Sequence, residues 1–298
     1  MNRNKITEKQ NPLSEKIDEQ SIIEILNIIN LEDAKVSIAI KKSLFEIERF
    51  IESLLDRFKQ GGRLFYVGSG TSGRLGILDA AECPPTFRTN SSMVQGIIAG
   101  GYDALVCSIE GAEDCPDDGA DAIIKNGINK KDVVLGITAS SSTPFVLGAL
   151  EKAKELQSST GLLICNASPD LTFVDHLISI IVGPEVITGS TRMKAGTATK
   201  MVLNMITTTV MIRLNKTYGN LMVDLKASNE KLWDRGTRII TQLTDLDYED
   251  AFQLLKSADG EVKTAIVMKK MNINKIDSRE MLNHNLGSLK KSLENKQF

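Results

Sequence analysis

A glycine-rich segment at residues 65–76, FYVGSGTSGRLG, is the part of the sequence that most directly suggests binding chemistry. Its three glycines, Gly68, Gly70 and Gly73, have the G-x-G-x-x-G spacing of a dinucleotide-binding turn. The positions between these glycines are all hydroxyl residues: Ser69, Thr71 and Ser72. Backbone N–H groups at a helix start attract an anion, and hydroxyl groups complete its shell of hydrogen bonds. The segment therefore suits a dinucleotide or a lone phosphate, and helix N-capping is the simplest alternative for its hydroxyls.

The residues after the glycines do not support a dinucleotide site. Such a site needs an acidic residue about 20 positions further on, where it holds the ribose hydroxyls. Between Glu82 and Asp103 the chain has no Asp or Glu. Arg88 could meet an NADP phosphate, but it precedes the second predicted strand instead of ending it. The sequence thus favours a phosphate cradle and predicts no nucleotide cofactor.

Two further hydroxyl-rich loops follow predicted strands. The first is ASSSTP at residues 139–144, and the second is TGSTRMK at residues 188–194, which opens a long apolar helix. Open α/β sheets bind ligands at the carboxyl ends of their strands, where all three loops are expected to lie. Helix capping is again the alternative, although capping would not require four consecutive hydroxyl residues. The added candidate phosphate ligands are Ser140, Thr143, Ser190 and Thr191.

Two glutamates are candidates for acid–base chemistry. Glu82 ends a largely apolar helical stripe, and the following Cys-Pro-Pro is expected to stop the helix. Poor hydration there would raise its pKa into the range useful for a general acid or base. Glu113 lies in IEGAED, after the second predicted strand and at the expected ligand edge. The alternatives are a solvated helix end for Glu82 and a solvated acidic face for Glu113.

Apolar periodicity predicts an α/β fold. Helical spacing covers residues 17–29 and 33–60. Five short apolar runs then alternate with helical segments, which indicates a parallel sheet buried on both faces: 64–67, 94–99, 133–138, 162–165 and 178–182. Three short helices are predicted near the C-terminus: 249–257, 262–268 and 278–293. The predicted organisation is a polar arm, a domain containing the sheet, and a small helical subdomain: 1–16, 17–243 and 244–298.

Composition excludes several classes of function. The net charge of −2, from 36 basic and 38 acidic residues, does not favour nucleic acid or an anionic membrane as a partner. Four cysteines without a C-x-x-C pair, together with two histidines, make a zinc site improbable. The polar N-terminus has no apolar signal-peptide region and is expected to be a mobile arm. The apolar run 201–214 is too short to span a membrane, so a cytoplasmic protein with a small-molecule ligand is expected.

Several longer motifs closely resemble the N-acetylmuramic acid 6-phosphate etherases, which are sugar isomerase (SIS) domain proteins of bacterial cell-wall recycling. The motifs are GSGTSGRLGILDAAECPPTF, IAGG, EGAED, TGSTRMKAGTATKMVLNM and YGNLMVDLKASNEKL. The resemblance extends from about Lys16 to the C-terminus. It implies a three-layer αβα SIS domain with a five-stranded, flavodoxin-like parallel sheet, followed by a three-helix subdomain similar to ubiquitin-associated domains. We expect that subdomain to support packing or dimerisation.

The resemblance also implies a reaction and its residues. The family cleaves the ether between C3 of the sugar and D-lactate by elimination and hydration, with no metal or other cofactor. Glu82 of the E-C-P-P motif is the expected proton donor and Glu113 of E-G-A-E-D the expected C2 base, and the two roles remain interchangeable at this stage. Lys194 would add charge at the phosphate or form a structural ion pair. Family members are homodimers with sites near the interface, so Glu113 could serve the partner's pocket.

The second hydroxyl loop departs from the family pattern A-S-G-R-T-P-Y. This chain has Ser141, Ser142 and Phe145 where the family typically has glycine, arginine and tyrosine. Loss of the arginine removes a planar, permanently charged donor that serine cannot imitate. Two other functions stay open: a non-catalytic phosphosugar-binding regulator, like the related glucokinase regulatory protein, and an aldose–ketose isomerase on the same scaffold. Retention of both glutamates argues against the regulator.

Overall fold

One five-stranded, fully parallel sheet forms the centre of the fold in the computed structural model, which describes residues 5–167 and 171–294. The strand order is β2-β1-β3-β4-β5, which is the flavodoxin-like order expected from the resemblance. The strands are β1 Leu64–Gly68, β2 Val94–Ile98, β3 Val133–Ile137, β4 Ser159–Ile164 and β5 His176–Ser179. Parts of the predicted arm (1–4) and of the predicted subdomain (295–298) lie outside the described residues.

The last strand begins earlier than its apolar run predicts, at His176 instead of residue 178. It pairs in parallel with residues 161–164 of β4. The Ile180 N–H donates to the Ile164 carbonyl at 2.9 Å just beyond the paired residues, and the Cys165 N–H donates on the other side of β4, to the Ala139 carbonyl. The limits of β5 therefore follow its hydrogen-bonding neighbour and not its own hydropathy.

Helices precede, separate and follow the strands. Before the sheet come α1 Ile22–Asp33, α2 Lys35–Lys41 and α3 Leu44–Lys59. Between and after the strands lie α4 Gly70–Phe87, α5 Pro116–Lys125, α6 Pro144–Glu155 and α7 Lys194–Arg213. The remaining helices are α8 Glu230–Leu243, α9 Tyr248–Ser257, α10 Val262–Met271, α11 Lys275–His284 and α12 Leu289–Glu294.

The leading helices differ from the two predicted ones, and serines lie at two of the changed limits. Ser21 forms a capping box with Glu24, so α1 begins after Ser21 and not at residue 17. Ser43 interrupts the helix predicted over 33–60, and its hydroxyl donates to the Ser179 carbonyl at 2.8 Å. The start of α1 therefore depends on a capping box that hydropathy does not report, whereas the Ser43 side chain makes no capping hydrogen bond.

Alternating side chains place helices on both faces of the sheet. Phe65 and Val67 of β1 belong to the same buried cluster as residues of α5 and α6. On the other face, α4 and α3 approach closely at glycines: a Cβ on Gly76 would lie 2.8 Å from the Tyr66 side chain, and one on Gly161 would lie 2.7 Å from Phe50. The sheet is thus the middle of three layers, as expected.

The described chain forms two compact units. The first comprises the described residues up to Ala81 together with Ser91–Thr207, and the second comprises Glu82–Asn90 and the described residues from Thr208 onward. The sequence places a boundary at 243/244 instead. Two of the boundaries in the structure, 81/82 and 207/208, fall inside α4 and α7, and the third, 90/91, falls in the loop between α4 and β2.

The second unit has its own apolar core, drawn from α8 to α12 and the segment before α8. Its last predicted helix, 278–293, is two helices in the structure. Leu286 and Gly287 have φ values of 52° and 73°, and the Gly287 N–H donates to the Leu282 carbonyl at 2.8 Å. This left-handed turn ends α11 before α12 begins.

Described residues of the N-terminal segment make packed contacts within the first unit, where the sequence suggests a mobile arm. Thr7, Asn11 and Ser14 are buried. The Asn11 side chain donates to the Pro184 carbonyl at 3.2 Å, and the Ser14 hydroxyl donates to the Val186 carbonyl at 2.6 Å. These polar side chains supply partners to a distant backbone segment, which a local analysis of polarity cannot detect. Among the helices described, none combines the length and apolar character needed to cross a membrane.

Candidate active site

The turn between β1 and α4 requires each glycine of its motif. Gly70 has a φ of 49°, in the left-handed region that favours glycine. A Cβ on Gly68 would lie 2.7 Å from the Gly73 nitrogen, and one on Gly73 would lie 2.8 Å from the Gly68 carbonyl oxygen. The strand can therefore pass directly into the helix, and Thr71 and Ser72 lie in the helix's first turn.

The three hydroxyl-rich loops meet at one cavity of about 900 Å³, which we call the hydroxyl-lined cavity. Six of the seven predicted phosphate-binding hydroxyl residues line it: Ser69, Thr71, Ser72, Ser140, Thr143 and Thr191. Ser190 belongs to the same loop as Thr191 but is not among the lining residues. The carboxyl ends of neighbouring parallel strands thus bring together loops that are far apart in sequence.

The loop after β3 is bound together by its own hydroxyls. Thr138 and Thr143 are hydrogen-bonded at 2.7 Å, and the Ser140 and Ser142 oxygens lie 3.3 Å apart. Thr138 also lines the cavity, although in the sequence it only ends a predicted strand and carries no binding signal. Ser141, which replaces the glycine of the family pattern, has a φ of 65°. The loop keeps the left-handed backbone suited to glycine and accommodates serine with strain.

Glu113 lies at the edge of the hydroxyl-lined cavity. Its side chain is exposed, and one carboxylate oxygen accepts a hydrogen bond from the Ser69 hydroxyl at 2.6 Å. The Phe145 N–H donates to the Glu113 carbonyl at 3.0 Å and fixes the backbone. The structure therefore joins the predicted base to the predicted phosphate loops, with the carboxylate held by a loop hydroxyl.

Glu113 also lines a second, adjoining cavity of about 380 Å³ that shares Ser69 and Gly70 with the first. Arg74 contributes to its wall and donates to the Leu105 and Cys107 carbonyls, both at 3.0 Å. The carboxylate thus borders two spaces, one rich in hydroxyls and one beside the loop after β2.

Glu82 lies in the last part of α4, in the residues assigned to the second unit, and its side chain is exposed. The helix does not stop at Cys-Pro-Pro as predicted: α4 continues through Pro84 and Pro85 to Phe87. Proline removes backbone donors, but its carbonyl still accepts, as in the bond from the Arg88 N–H to the Pro84 carbonyl at 2.9 Å. The apolar surroundings expected for the Glu82 carboxylate are not found among the described residues.

Asp79, less than one turn before Glu82, is the more deeply placed carboxylate of α4. It accepts hydrogen bonds from the Tyr66 hydroxyl at 2.9 Å and the Thr207 hydroxyl at 3.2 Å. Burial raises the pKa of Asp79 above its ordinary value, and these hydrogen bonds oppose the rise. The poorly hydrated carboxylate of α4 is therefore that of Asp79, and not that of Glu82 as predicted.

Lys194 forms a structural ion pair, which was one of its two predicted roles, and it does not line the hydroxyl-lined cavity. It is buried, and its ammonium group contacts the carboxylate of Glu32. The backbone N–H groups of Lys194 and Ala195 donate to the Glu185 carboxylate at 3.0 and 2.9 Å. A carboxylate from the chain itself thus occupies the start of α7, where the sequence suggested a phosphate.

The N-terminal segment supplies two lining residues that the sequence did not suggest. Lys5 and Glu8 both line the hydroxyl-lined cavity, and the Lys5 ammonium group donates to the Ser142 hydroxyl. These residues carry no recognisable motif and reach the cavity only through folding. The burial of Asn11 and Ser14 likewise cannot be predicted from the residues around them in the sequence.

Comparison with known proteins agrees with this architecture. Two family sequence models match this chain. The model of the glucokinase regulatory protein N-terminal SIS domain matches residues 46–154, and the model of the C-terminal lid domain of glucokinase regulatory protein matches residues 219–283. An N-acetylmuramic acid 6-phosphate etherase of Salinibacter ruber is 49% identical over 290 residues, which cover 97% of this chain and 93% of the relative. This chain belongs to the N-acetylmuramic acid 6-phosphate etherase family.

Other comparisons support the family assignment and the fold. The N-acetylmuramic acid 6-phosphate etherase of Clostridium acetobutylicum is also 49% identical, over 97% of this chain and 96% of its own length. A solved structure titled as a putative phosphosugar isomerase involved in capsule formation, from Bacteroides fragilis, has a TM-score of 0.50. It is 16% identical and covers 65% of this chain and 91% of its own. The etherase-family chain thus shares a sugar isomerase type of fold, as expected.

Proposed function

We propose that this protein is an N-acetylmuramic acid 6-phosphate etherase, a carbon–oxygen lyase that releases D-lactate and N-acetylglucosamine 6-phosphate. The observation that supports this most directly is the convergence of three hydroxyl-rich loops and Glu113 on one cavity, in a chain 49% identical to a named etherase over 97% of its length. The cavity of about 900 Å³ lies within the range of small-molecule sites.

The phosphate group is proposed to bind at the start of α4. Thr71 and Ser72 place hydroxyls in the first turn of that helix, whose N–H groups and dipole favour an anion. Ser140, Thr143 and Thr191 would complete the shell from the other loops. The start of α7 is not proposed as a phosphate site, because Glu185 already accepts its N–H groups.

Glu113 is proposed as the base that removes the C2 proton of the open-chain sugar. The aldehyde at C1 acidifies that proton, and its removal allows a C2–C3 double bond to form as the C3–oxygen bond breaks. The departing lactyl oxygen takes up a proton, and water then adds across the double bond. Ser69 would orient the carboxylate by donating to one oxygen at 2.6 Å. General acid–base catalysis of this type contributes roughly a hundredfold to ten-thousandfold in rate.

Glu82 is proposed as the acid that protonates the leaving lactyl oxygen, on the strength of the family motif E-C-P-P. We further propose that the protein acts in the cytoplasm as a homodimer with its sites near the interface. Helix α1 carries four strongly exposed apolar side chains suited to a second copy: Ile22, Ile23, Leu26 and Leu31, with 79%, 62%, 55% and 61% exposure. Exposed apolar side chains gathered on one helix suit an interaction surface.

The deciding experiment measures D-lactate release from N-acetylmuramic acid 6-phosphate by the purified protein, with and without a chelator, in ¹⁸O-labelled water. Elimination and hydration predict chelator-resistant release, with the label in the C3 hydroxyl of the product and none in the lactate. Label in the lactate would contradict elimination. Binding without lactate release would replace the etherase proposal by a phosphosugar-binding regulator, and interconversion of aldose and ketose phosphates would replace it by an isomerase.

A further inference from the structure

The hydroxyl-lined cavity contains little positive charge for a ligand that carries a phosphate. Of its lining residues among those described, Lys5 is the single cationic side chain, whereas Glu8 and Glu113 are both carboxylates. Lys194, the cation suggested by the sequence, is buried against Glu32. Without Lys5, the fixed charges in the cavity wall would be negative and would repel a phosphate dianion.

Lys5 is held beside the cavity by a packed segment. The Ile6 N–H donates to the Asn166 side chain at 3.2 Å, and the Gly189 N–H donates to the Thr7 carbonyl at 3.2 Å. The second of these bonds ties the segment directly to the third hydroxyl-rich loop. Asn11 and Ser14 fix the following residues, as described above. The position of the Lys5 backbone is therefore determined by contacts with Asn166 and with a loop of the same cavity.

The Lys5 ammonium group reaches the loop position at which a permanent cation is missing. It donates to the Ser142 hydroxyl, and the Ser142 oxygen lies 3.3 Å from that of Ser140. An ammonium has three donors, so one bond to Ser142 leaves others for phosphate oxygens. Charge-assisted bonds to phosphate are stronger than those from neutral hydroxyls.

We propose that Lys5 supplies the positive charge that binds the phosphate group of the substrate. This inference rests on the proposed function for the identity of the ligand. Lys5 then supplies, from the N-terminal segment, a positive charge beside Ser142. The family pattern has an arginine at that position in the loop after β3. It is a binding residue for the 6-phosphate and takes no part in proton transfer.

The test compares the affinity of Lys5 variants for two ligands by calorimetry. N-acetylglucosamine 6-phosphate has a phosphate and no carboxylate, whereas unphosphorylated N-acetylmuramic acid has the lactyl carboxylate and no phosphate. Lys5→Met should weaken binding of the first by about tenfold to a hundredfold, the range for a lost bond to a charged group. Binding of the second should be unchanged. Lys5→Arg should retain most of the affinity.

Lys9 provides the matched control, because it is an exposed lysine of the same segment and does not line the cavity. Lys9→Met should bind both ligands as the unaltered chain does. In the Lys5→Met background, Ser142→Arg should restore affinity for the phosphosugar. Equal melting temperatures of the variants would show that the segment still packs.

Two results would overturn the inference. Unchanged phosphosugar affinity in Lys5→Met would remove Lys5 from the site, and loss confined to the carboxylate ligand would assign it to the lactyl group. Failure of the etherase proposal is separable, because it would show as absent lactate release by the unaltered protein. Conversely, full lactate release together with an unaffected Lys5→Met variant would defeat only the role of Lys5.

Discussion

The two units of the chain each contain a polar cavity, but they arrange polarity in opposite ways. The cavity of the second unit, about 370 Å³, is lined by four cations and two carboxylates: Arg88, Lys216, Lys263, Arg279, Asp224 and Glu261. Each cation there is already paired with a carboxylate at 2.8 to 3.0 Å. The hydroxyl-lined cavity instead has neutral hydroxyls, with few charges. Neutral hydroxyls can exchange their hydrogen bonds for those of a ligand at little cost, whereas paired charges cannot.

The electrostatics of the second unit agree with a structural role for its cavity. Burial opposes the charge of Glu261, but hydrogen bonds from Arg279, Arg88 and Thr264 lower its pKa to about 2. Burial lowers the pKa of Lys263 although Asp224 favours its charged form. The paired charges of the second unit thus suit a structural role, whereas the neutral hydroxyls of the first unit suit the proposed ligand site.

The strongest test of the binding side is Glu113→Gln. We expect at least about a hundredfold loss of lactate release with an unchanged melting temperature, because the amide cannot accept the C2 proton. Asp117→Asn, an exposed residue near the start of α5, is the control and should keep full activity. Near-normal turnover by Glu113→Gln would show that the carboxylate at this cavity is not the base.

Glu82→Gln should likewise lose turnover by about a hundredfold and retain phosphosugar affinity, since a general acid acts only in the transition state. Lactate release at different pH values would separate its role from that of Glu113. Loss of an essential acid should remove the alkaline limb of the rate profile, and loss of an essential base should remove the acidic limb. Retained activity would restrict Glu82 to a solvated helix end.

Glu261→Gln tests whether the paired charges of the second unit stabilise the fold. Because the folded-state pKa of Glu261 is depressed from 4.5 to about 2, its contribution to stability is present above pH 4.5 and lost as the pH falls towards 2. We expect the variant to lower the free energy of unfolding by about 2 kcal/mol at pH 7, after allowance for solvent screening. The difference should shrink when urea unfolding is repeated at pH 3.5. Glu280→Gln, at an exposed site of α11, should show no such difference.

A smaller effect is expected from Thr71→Val, which removes one hydroxyl from the first turn of α4 and preserves the side-chain shape. Affinity for N-acetylglucosamine 6-phosphate should fall by about tenfold, because one phosphate oxygen loses its donor. Calorimetry on Thr197→Val, an exposed position of α7, gives the background effect of the same exchange. An equal, small change in both variants would remove Thr71 from the phosphate shell.

The smallest expected effect concerns backbone strain at the cavity. Ser141→Gly should raise the free energy of unfolding by about 0.5 to 1 kcal/mol, because glycine adopts a φ of 65° without the steric penalty of a Cβ. Ser37→Gly, on an exposed face of α2, should have the opposite sign, since glycine weakens a helix. Both changes can be measured by urea denaturation. A loss of stability in Ser141→Gly would show that the Ser141 hydroxyl outweighs the strain.

Much of the sheet and the convergence of the hydroxyl-rich loops can be predicted from local patterns. Short apolar runs located all five strands, because strands buried on both faces need continuous apolar sequence. The hydroxyl-rich loops were placed correctly at one edge, since parallel strands direct all their carboxyl ends to the same side. Helix limits are predicted less accurately, because α1 begins at the Ser21 capping box and the helix predicted over 33–60 is broken at Ser43, and hydropathy reports neither feature.

What the sequence by itself determined is the chemistry available: a glycine turn, three hydroxyl loops, two motif glutamates and the membership of a family. What only the tertiary structure decided is which polar groups remain available to a ligand. Lys194 is consumed by Glu32, 162 residues away, and Lys5 reaches Ser142 across 137 residues. Pairing of charges depends on distance in space and on burial, and neither quantity is contained in the spacing of residues along the chain.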